Sequence, residues 1–449
     1  MSRSTLSPPS LSDSLQRKSI GDVEQPPVHT PEEKTAPEAD PATLNPWHPS
    51  QFPDGGKDAW LCLLGAACCL FCSFGWINCL GVFQNYYQAN QLSEYSSSTI
   101  AWIASCEIFV MFFPGPIVGF MFDNYGPKYL IIFGAFFHVF GLMMTSLCKE
   151  YWQFILAQGI CSPLGLNCIF NAGTNTVPTW FLKKRGAAYG IMAAGSGLGG
   201  VIFPIMATHL IPQIGFGWTM RTLAFMILGL LIVAFFTVKS RLPPRPRQFE
   251  LKVFLEPFKD IRFNLIGISA FFIFMGLFVP INFIEVQAIA NGMSLRLAGY
   301  LLAVLNAGSI FGRIIPGILA DKLGRFNMQM VMSFFAGIVV LALALPASGN
   351  AAFIVFAGLY GFASGAYVSL APAQIAYISK VEQIGVRTGV LFSWTAFAGL
   401  IGNPVAGAIA NDGNFDGLNI FAGVLLLVGA VFFTITRFVV AEWKLFVKV

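Results

Sequence analysis

The sequence predicts an all-α membrane protein with twelve transmembrane helices in two pseudo-symmetric six-helix halves. Composition, recurrent apolar segments and an internal repeat predict this fold. Of 449 residues, 55% are hydrophobic and only 11% are charged, whereas soluble domains carry about 25% charged residues. Apolar segments of about 20 residues recur from Trp60 onward, and a helix needs that length to cross a bilayer. These segments are continuous rather than alternating, which excludes a β-barrel.

The chain divides into four predicted regions. Residues 1–56 are rich in Pro, Ser, Asp and Glu, so we expect a disordered cytoplasmic tail. Residues 57–238 and 263–449 are the two six-helix halves, the second ending in a short cytoplasmic tail. The proline-rich polar break at 239–262 is predicted to be a cytoplasmic linker.

Hydropathy places the twelve spans along the two halves. They are predicted at 60–83, 99–121, 128–148, 152–176, 186–209, 218–238, 263–284, 297–319, 328–346, 351–376, 388–410 and 419–440. Lys and Arg concentrate in the linker and in the loops after even-numbered spans. Because basic loops stay in the cytoplasm, both termini are predicted to be cytoplasmic. We expect a monomer in the plasma membrane.

A loop after the second span recurs after the eighth. Each Gly and Asp of the first copy reappears 198 positions later. The residues are Gly119, Asp123, Gly126 and Lys128, then Gly317, Asp321, Gly324 and Arg325. An Asp at a helix end opposite a basic residue can latch helices, and glycines allow close approach, so we predict a gating role. The alternative is an ordinary polar loop.

A second repeat match relates Arg185 and Gly200 to Arg387 and Gly402 at a displacement of 202 positions. Together the two repeat matches indicate that the halves arose by duplication. Two related halves suit alternating access, in which one half tilts on the other around a central site.

The repeated loop, Gly-x-x-x-Asp-x-x-Gly-x-Lys/Arg, resembles the signature of the major facilitator superfamily. Residues 53–56, and residues 180–190 running into 194–197, resemble the two signatures of its monocarboxylate porter family. Residues 81–87 are similar to the end of the first span in the fungal branch. The resemblance covers residues 53–440 and implies a secondary transporter of a small organic solute.

At three positions the sequence can be compared with the lactate carriers of that family, and the differences change the expected substrate. Its proton-coupled lactate carriers use a Lys late in the first span and an Asp four residues before an Arg in the eighth. The matching positions here are Asn78, Ser309 and Arg313, so only the Arg remains. The resemblance then implies a carrier of a monocarboxylate or a carboxylated secondary metabolite, with efflux favoured and protons as a candidate coupling ion. The alternatives are a nutrient uptake carrier of monocarboxylate or riboflavin type, and a non-transporting receptor or sensor.

Arg313 is the central candidate for substrate binding. Asn306, Ser309 and Arg313 share one face of span 8. A guanidinium can hold a carboxylate through two hydrogen bonds, although a structural ion pair or a snorkelling side chain is the alternative. Other polar candidates within spans are Asn78, Asn171, Asn282 and Tyr367. Asn171 belongs to a stripe with Asn167 and Asn175, which either lines the pathway or bonds neighbouring helices.

Glu107 in span 2 is the candidate coupling residue, because an acid at membrane depth usually faces a cavity or a partner. Arg313 is one predicted partner, and a helix-packing hydrogen bond is the alternative role. The spans contain neither a paired-Asp nor a zinc-binding constellation, and the chain has no phosphate-binding loop, so we expect no enzyme, no metal and no cofactor. The composition also excludes nucleic-acid binding.

Overall fold

The structure is a computed structural model that describes residues 51–243, 246, 248, 250–410, 413–445 and 447–449. Residues 1–50 of the predicted tail and parts of the predicted linker lie outside the described residues. The spans below are numbered in chain order. The linker face is the side of the bundle on which the described residues between 239 and 260 lie.

Eleven helical runs in the described chain are long and apolar enough to cross a membrane. The longest, Arg185–Thr237, holds two spans because Gly215 leaves the helical conformation, with φ 78° and ψ 163°. A positive φ of this kind favours glycine, which has no Cβ. The predicted loop at 210–217 is therefore a single-residue break. The described residues thus form twelve spans and no strand, which confirms the predicted fold class.

The first half contains spans 1 to 6. Its helices are Lys57–Cys72, Phe74–Ile77 and Leu80–Ala89 in span 1, Ser97–Phe112 and Gly115–Tyr125 in span 2, Pro127–Thr145 in span 3, Tyr151–Phe154, the π-helix Ile155–Cys161 and Ser162–Thr176 in span 4, and Arg185–Thr237 in spans 5 and 6. The linker contains Leu251–Leu255 and the 3₁₀ turn Glu256–Lys259.

The second half contains spans 7 to 12. Its helices are Ile261–Ala290 in span 7, Leu295–Ala298 and Leu301–Leu323 in span 8, Arg325–Val339 with the π-helix Val340–Ala344 in span 9, Asn350–Ile378 in span 10, Val381–Gln383 and Ile384–Ala410 in span 11, and Phe415–Val440 in span 12. Span 7 begins slightly before the predicted position 263, because Asp260 caps its first turn by accepting a hydrogen bond from the Arg262 amide.

Span 1 departs most from its prediction, which ended it at residue 83. The helix is interrupted near Ser73 and near Asn78, and its last segment continues to Ala89. The Tyr86 ring stacks on Phe216 with centroids 5.1 Å apart, so aromatic packing extends the helix beyond the point where hydropathy falls. The break places Asn78 at a helix end in the membrane interior.

The two halves meet along two helix crossings, spans 2 with 11 and spans 5 with 8. At the first crossing, Gly119 lies against the Gly385 carbonyl and Gly115 against Gly389, so closely that a Cβ on any of them would collide with backbone. Small residues allow this approach where lipid supplies no hydrophobic drive between helices. At the second crossing, Gly186 lies in the same way against Gly317.

The contacts at these crossings contradict the second repeat match. Gly186 and Gly385 make equivalent contacts, and 385 − 186 gives a displacement of 199 rather than 202. Gly200 faces Asn306 of the other half, whereas Gly402 faces Met275 of its own half. The predicted equivalence of Gly200 and Gly402 is therefore wrong, since the sequence match does not follow the contact register.

Candidate functional site

A small cavity lies between the halves, lined by residues of spans 1, 7, 8 and 10. Its volume is about 10 Å³, which is close to the space that one water molecule requires. The side chains Asn78, Asn306, Ser309 and Arg313 line it together with Ser364, which the sequence analysis missed. The structure therefore brings together four of the predicted substrate residues from both halves.

Arg313 is buried, with a relative exposure of 3%. Its Nη1 donates to the Ala193 carbonyl at 2.8 Å and to Ser196 Oγ at 2.6 Å, so it links span 8 to span 5 of the other half. Its Nε and the Nδ2 of Asn78 have no hydrogen-bond partner among the described residues. A buried donor without a partner costs about 1–3 kcal/mol, so each of these two lining residues retains an unused donor that an acceptor would satisfy.

Phenylalanine rings surround the polar part of the cavity. Phe74 of span 1 and Phe278 of span 7 both line it, with ring centroids 6.2 Å apart. Phe274 packs on Phe278 at 4.9 Å and on Phe112 of the other half at 5.6 Å. The cavity wall thus combines two unsatisfied donors with an aromatic surface that crosses the boundary between the halves.

The remaining predicted substrate residues lie elsewhere. Asn171 bonds within its own span, donating to Asn167 Oδ1 at 2.8 Å and accepting from Asn175 at 3.2 Å. Asn282 donates to Asn403 Oδ1 at 3.0 Å and so joins spans 7 and 11. Tyr367 is buried beside Phe274, and its hydroxyl has no partner among the described residues. None of these three lines the small cavity in this conformation.

Glu107 is fully buried inside the first half. One carboxylate oxygen accepts from Trp76 Nε1 at 2.8 Å and the other from Gln158 Nε2 at 3.0 Å. The Tyr87 hydroxyl donates to Gln158 at 2.6 Å, and Gln158 lies on the π-helix of span 4. Gln158 was missed, although an amide within an apolar span was a usable signal.

The predicted pairing of Glu107 with Arg313 does not form in this structure. Glu107 bonds to residues of spans 1 and 4, whereas Arg313 bonds to span 5. His138 lies near the same network, with its ring 5.9 Å from that of Trp76 and its Nδ1 2.9 Å from Ser162 Oγ. Glu107 is thus part of a buried polar network that is separate from the cavity lining.

The repeated Asp residues cap helices of the opposite half. Asp123 accepts from the amides of Gly385 and Val386 at 3.2 and 3.1 Å, at the start of span 11. Asp321 accepts from the amides of Gly186 and Ala187 at 2.8 Å each, at the start of span 5. A carboxylate at a helix N-terminus satisfies free amides and opposes the positive end of the helix dipole. These bonds join the two halves at the linker face.

The basic residues of the repeat behave differently from each other. Arg325 lies 3.4 Å from Asp321 and donates to the Leu182 carbonyl of the other half. Lys128 lies over the Phe235 ring, 5.3 Å from its centroid. Gly126 and Gly324 end spans 2 and 8 with φ of 76° and 106°. The expected latch between acid and base is thus mainly a bond between acid and backbone, and its gating role stays a prediction.

Asp54 joins two segments that are distant in sequence. Its Oδ1 accepts from the amides of Leu182, Lys183 and Lys184 at 2.7, 2.7 and 3.1 Å. Nearby, Phe52 is buried beneath the Arg241 guanidinium, 4.6 Å from its ring centroid. Phe52 and Asp54 therefore contact the folded bundle although they lie within the predicted tail at 1–56. Hydropathy gives no signal for these contacts.

Comparison with known proteins gives a consistent family match. Residues 63–356 and 267–445 match the family described as Major Facilitator Superfamily. The chain is 52% identical over 400 residues to MFS-type transporter 1 of Ophiocordyceps sp., covering 89% of each protein. It is 45% identical over 402 residues to the Fujikurins efflux protein of Gibberella fujikuroi, covering 89% of this chain and 86% of that protein.

The fold also matches solved structures. The E. coli fucose:proton symporter aligns with a TM-score of 0.63 at 15% identity, covering 83% of this chain and 98% of the symporter. At that identity the likeness shows the fold alone. The fungal relatives are named as transporters and efflux proteins, so they support the superfamily and efflux rather than the finer assignment to monocarboxylate porters.

Proposed function

Because this chain belongs to the major facilitator superfamily, we propose that it exports an amphipathic organic metabolite bearing a carboxylate or carbonyl group. It is a multi-pass membrane transporter, and two related halves around a central cavity suit alternating access. The observation that carries the proposal is the pair of buried, unpartnered donors on Arg313 and Asn78 that line one cavity.

The chemistry of the cavity supports a solute with one polar end. A carboxylate accepts strong hydrogen bonds from guanidinium, and the fixed charge of Arg313 favours an anion or a polarised carbonyl. The Phe74 and Phe278 rings favour an apolar or aromatic body through burial and ring contacts. The solute therefore binds with its acceptor group at Arg313 and its apolar body against the rings.

Export is the direction that the relatives favour. One relative is named as the efflux protein of the fujikurins, and it aligns with 89% of this chain. A cell that makes a secondary metabolite needs a route out of the membrane-bounded interior. We place the protein in the plasma membrane of a fungus, as a monomer with both termini and the linker in the cytoplasm, in line with its basic loops.

Coupling to protons is part of the same proposal. Glu107 is the acid at membrane depth in the first half, and Trp76 and Gln158 hold its carboxylate in place. A carboxyl group that gains and loses a proton during the cycle would change the hydrogen bonds between spans 1, 2 and 4. The finer membership of the monocarboxylate porter family rests on the two signature segments, which Asp54 brings into contact.

The test has two stages. Metabolites inside and outside cells are compared with and without the gene, and export predicts that one compound accumulates inside cells that lack it. That compound is then loaded in proteoliposomes of the purified protein, with protein-free liposomes as the control. Movement of the labelled compound that requires the protein and is driven by an imposed proton gradient supports the proposal. Specific binding without flux would instead identify a receptor.

A further inference from the structure

An apolar groove runs between spans 3 and 6 on the outside of the first half. It has a volume of about 710 Å³, and its lining includes Ile132, Phe136 and Phe140 of span 3 with Leu228, Ile232 and Phe236 of span 6. Phe136 and Phe236 are 62% and 66% exposed, so they face the membrane rather than the core. The transport cycle proposed above does not use this groove.

A basic pocket continues the groove at the linker face. Its volume is about 390 Å³, and it shares Phe235 and Phe236 with the groove. Lys128 and Lys239 line it, and none of its described lining residues is acidic. Neither lysine forms an ion pair with a described residue. The pocket therefore has a net positive charge at the linker face, where spans 2 and 6 end.

The start of span 3 adds hydrogen-bond donors to the pocket. Pro127–Thr145 begins after Gly126, which lines the pocket and gives the helix no side-chain cap. The first amides of a helix lack internal partners, and together with the helix dipole they favour phosphate. Lys128 is held over the Phe235 ring, at the junction between the basic pocket and the apolar groove.

We propose that this composite site binds one anionic phospholipid of the leaflet at the linker face. Its phosphate and acidic headgroup contact the backbone amides of Lys128 and Tyr129, since Pro127 has no N–H, and the ammonium groups of Lys128 and Lys239. Its acyl chains lie between spans 3 and 6. The charge selects an anionic over a zwitterionic lipid, because each lysine near an anionic headgroup contributes attraction. The continuous apolar groove selects a lipid over a free phosphate ion.

Native mass spectrometry of the purified full chain can test the site. The protein is titrated separately with phosphatidylserine, phosphatidylcholine and inorganic phosphate. We expect one phosphatidylserine to be retained, and retention in the double variant Lys128→Gln/Lys239→Gln to weaken roughly 25-fold, at about fivefold for each lysine. The matched control is Lys322→Gln/Lys380→Gln, which removes two lysines that do not line the pocket and should retain the lipid as the unaltered protein does.

A second pair of variants tests the groove independently of charge. Ala135→Trp fills the groove lining on span 3, and Val331→Trp places the same ring on an exposed position of span 9. The site requires loss of phosphatidylserine in the first variant only. Equal retention of phosphatidylcholine, displacement by inorganic phosphate alone, or unchanged binding in Ala135→Trp would each overturn the proposal.

Discussion

Arg313 places a fixed positive charge at the boundary between the halves. Its Nη1 donates to the Ala193 carbonyl and to Ser196 Oγ, whereas its Nε has no hydrogen-bond partner among the described residues. A guanidinium differs from an ammonium here because it can bond span 5 and a solute at the same time through separate N–H groups. The same side chain thus connects the halves and offers a donor to the cavity.

Replacing Arg313 by Lys should weaken transport while the protein still reaches the membrane. Lysine keeps the charge but loses the planar set of donors, and one lost charge-assisted hydrogen bond corresponds to about a tenfold rise in the solute's KM. Uptake into proteoliposomes measures this value. Arg296→Lys is the matched control, since Arg296 is exposed in the short helix Leu295–Ala298 at the start of span 8. Unchanged kinetics in Arg313→Lys would remove the contact.

Replacing Glu107 by Gln should abolish the pH dependence of transport. Glutamine keeps an oxygen that can accept from Trp76 or Gln158 but cannot bind or release a proton. Initial rates between about pH 5 and pH 8 should become flat, with the largest difference from the unaltered protein where the proton gradient is steepest. A variant that keeps the original pH profile would exclude Glu107 from coupling.

Asp260 should make the free energy of unfolding depend on pH in the acid range. Partial burial raises the pKa of this carboxyl, but hydrogen bonds and charge from Arg262, with a bond from Arg387 at 3.2 Å, outweigh burial and hold the pKa below its usual range. Because the folded pKa is lower than the unfolded value of about 3.9, the stabilisation is present above that pH and is lost as the pH falls through the folded pKa. The midpoint temperature of thermal unfolding in detergent should therefore be higher for the unaltered protein than for Asp260→Asn at pH 7, and this gap should narrow near pH 3. A gap that stays constant would contradict the assignment.

At the scale of the elements, carboxylates hold helix starts across long stretches of chain. Asp123 and Asp321 cap spans of the opposite half, and Asp54 caps the segment that leads into span 5. The bonds of Asp123 and Asp321 cross between the halves, so we expect them to break if the linker face opens, whereas the Asp54 bonds lie within the first half. We expect Asp54 to act on stability and the repeated Asp residues to act on the cycle.

Asp54→Ala should lower the free energy of unfolding by about 2 kcal/mol, because it leaves the amides of Leu182, Lys183 and Lys184 without their shared acceptor. The measurement is thermal or denaturant unfolding of the detergent-solubilised protein. Asp58→Ala provides the control, since Asp58 is exposed in the first turn of span 1. Equal effects of the two substitutions would show that the cap contributes nothing specific.

The sequence predicted the elements better than the contacts between them. Twelve spans followed from hydropathy, and the 198-residue repeat located both cross-half Asp residues. The contacts of Asp54 with the loop before span 5, and those of Glu107 with Gln158, could not be predicted. Each joins positions far apart in the chain, and their approach depends on how the helices pack rather than on local pattern.

At the scale of the whole molecule, the orientation in the membrane is testable. Basic residues of the linker and of the loops near Asp123 and Asp321 predict that the linker face is cytoplasmic. Epitope tags at both termini should react with antibody only after the cells are permeabilised. A tag inserted after Gly349, in the loop before span 10 that this orientation predicts to be extracellular, supplies the positive control on intact cells. Labelling of either terminus on intact cells would refute the orientation.

The two helix crossings between the halves differ at one pair of equivalent positions. Gly115 and Arg313 are 313 − 115 = 198 residues apart and make matching backbone contacts with Gly389 and Gly190. Only Arg313 adds a side chain that reaches the cavity. If Arg313 binds the solute as proposed, we expect the solute to perturb the crossing of spans 5 and 8 directly and that of spans 2 and 11 only through other contacts. Loss of symmetry after duplication would then give the transport cycle a defined first step.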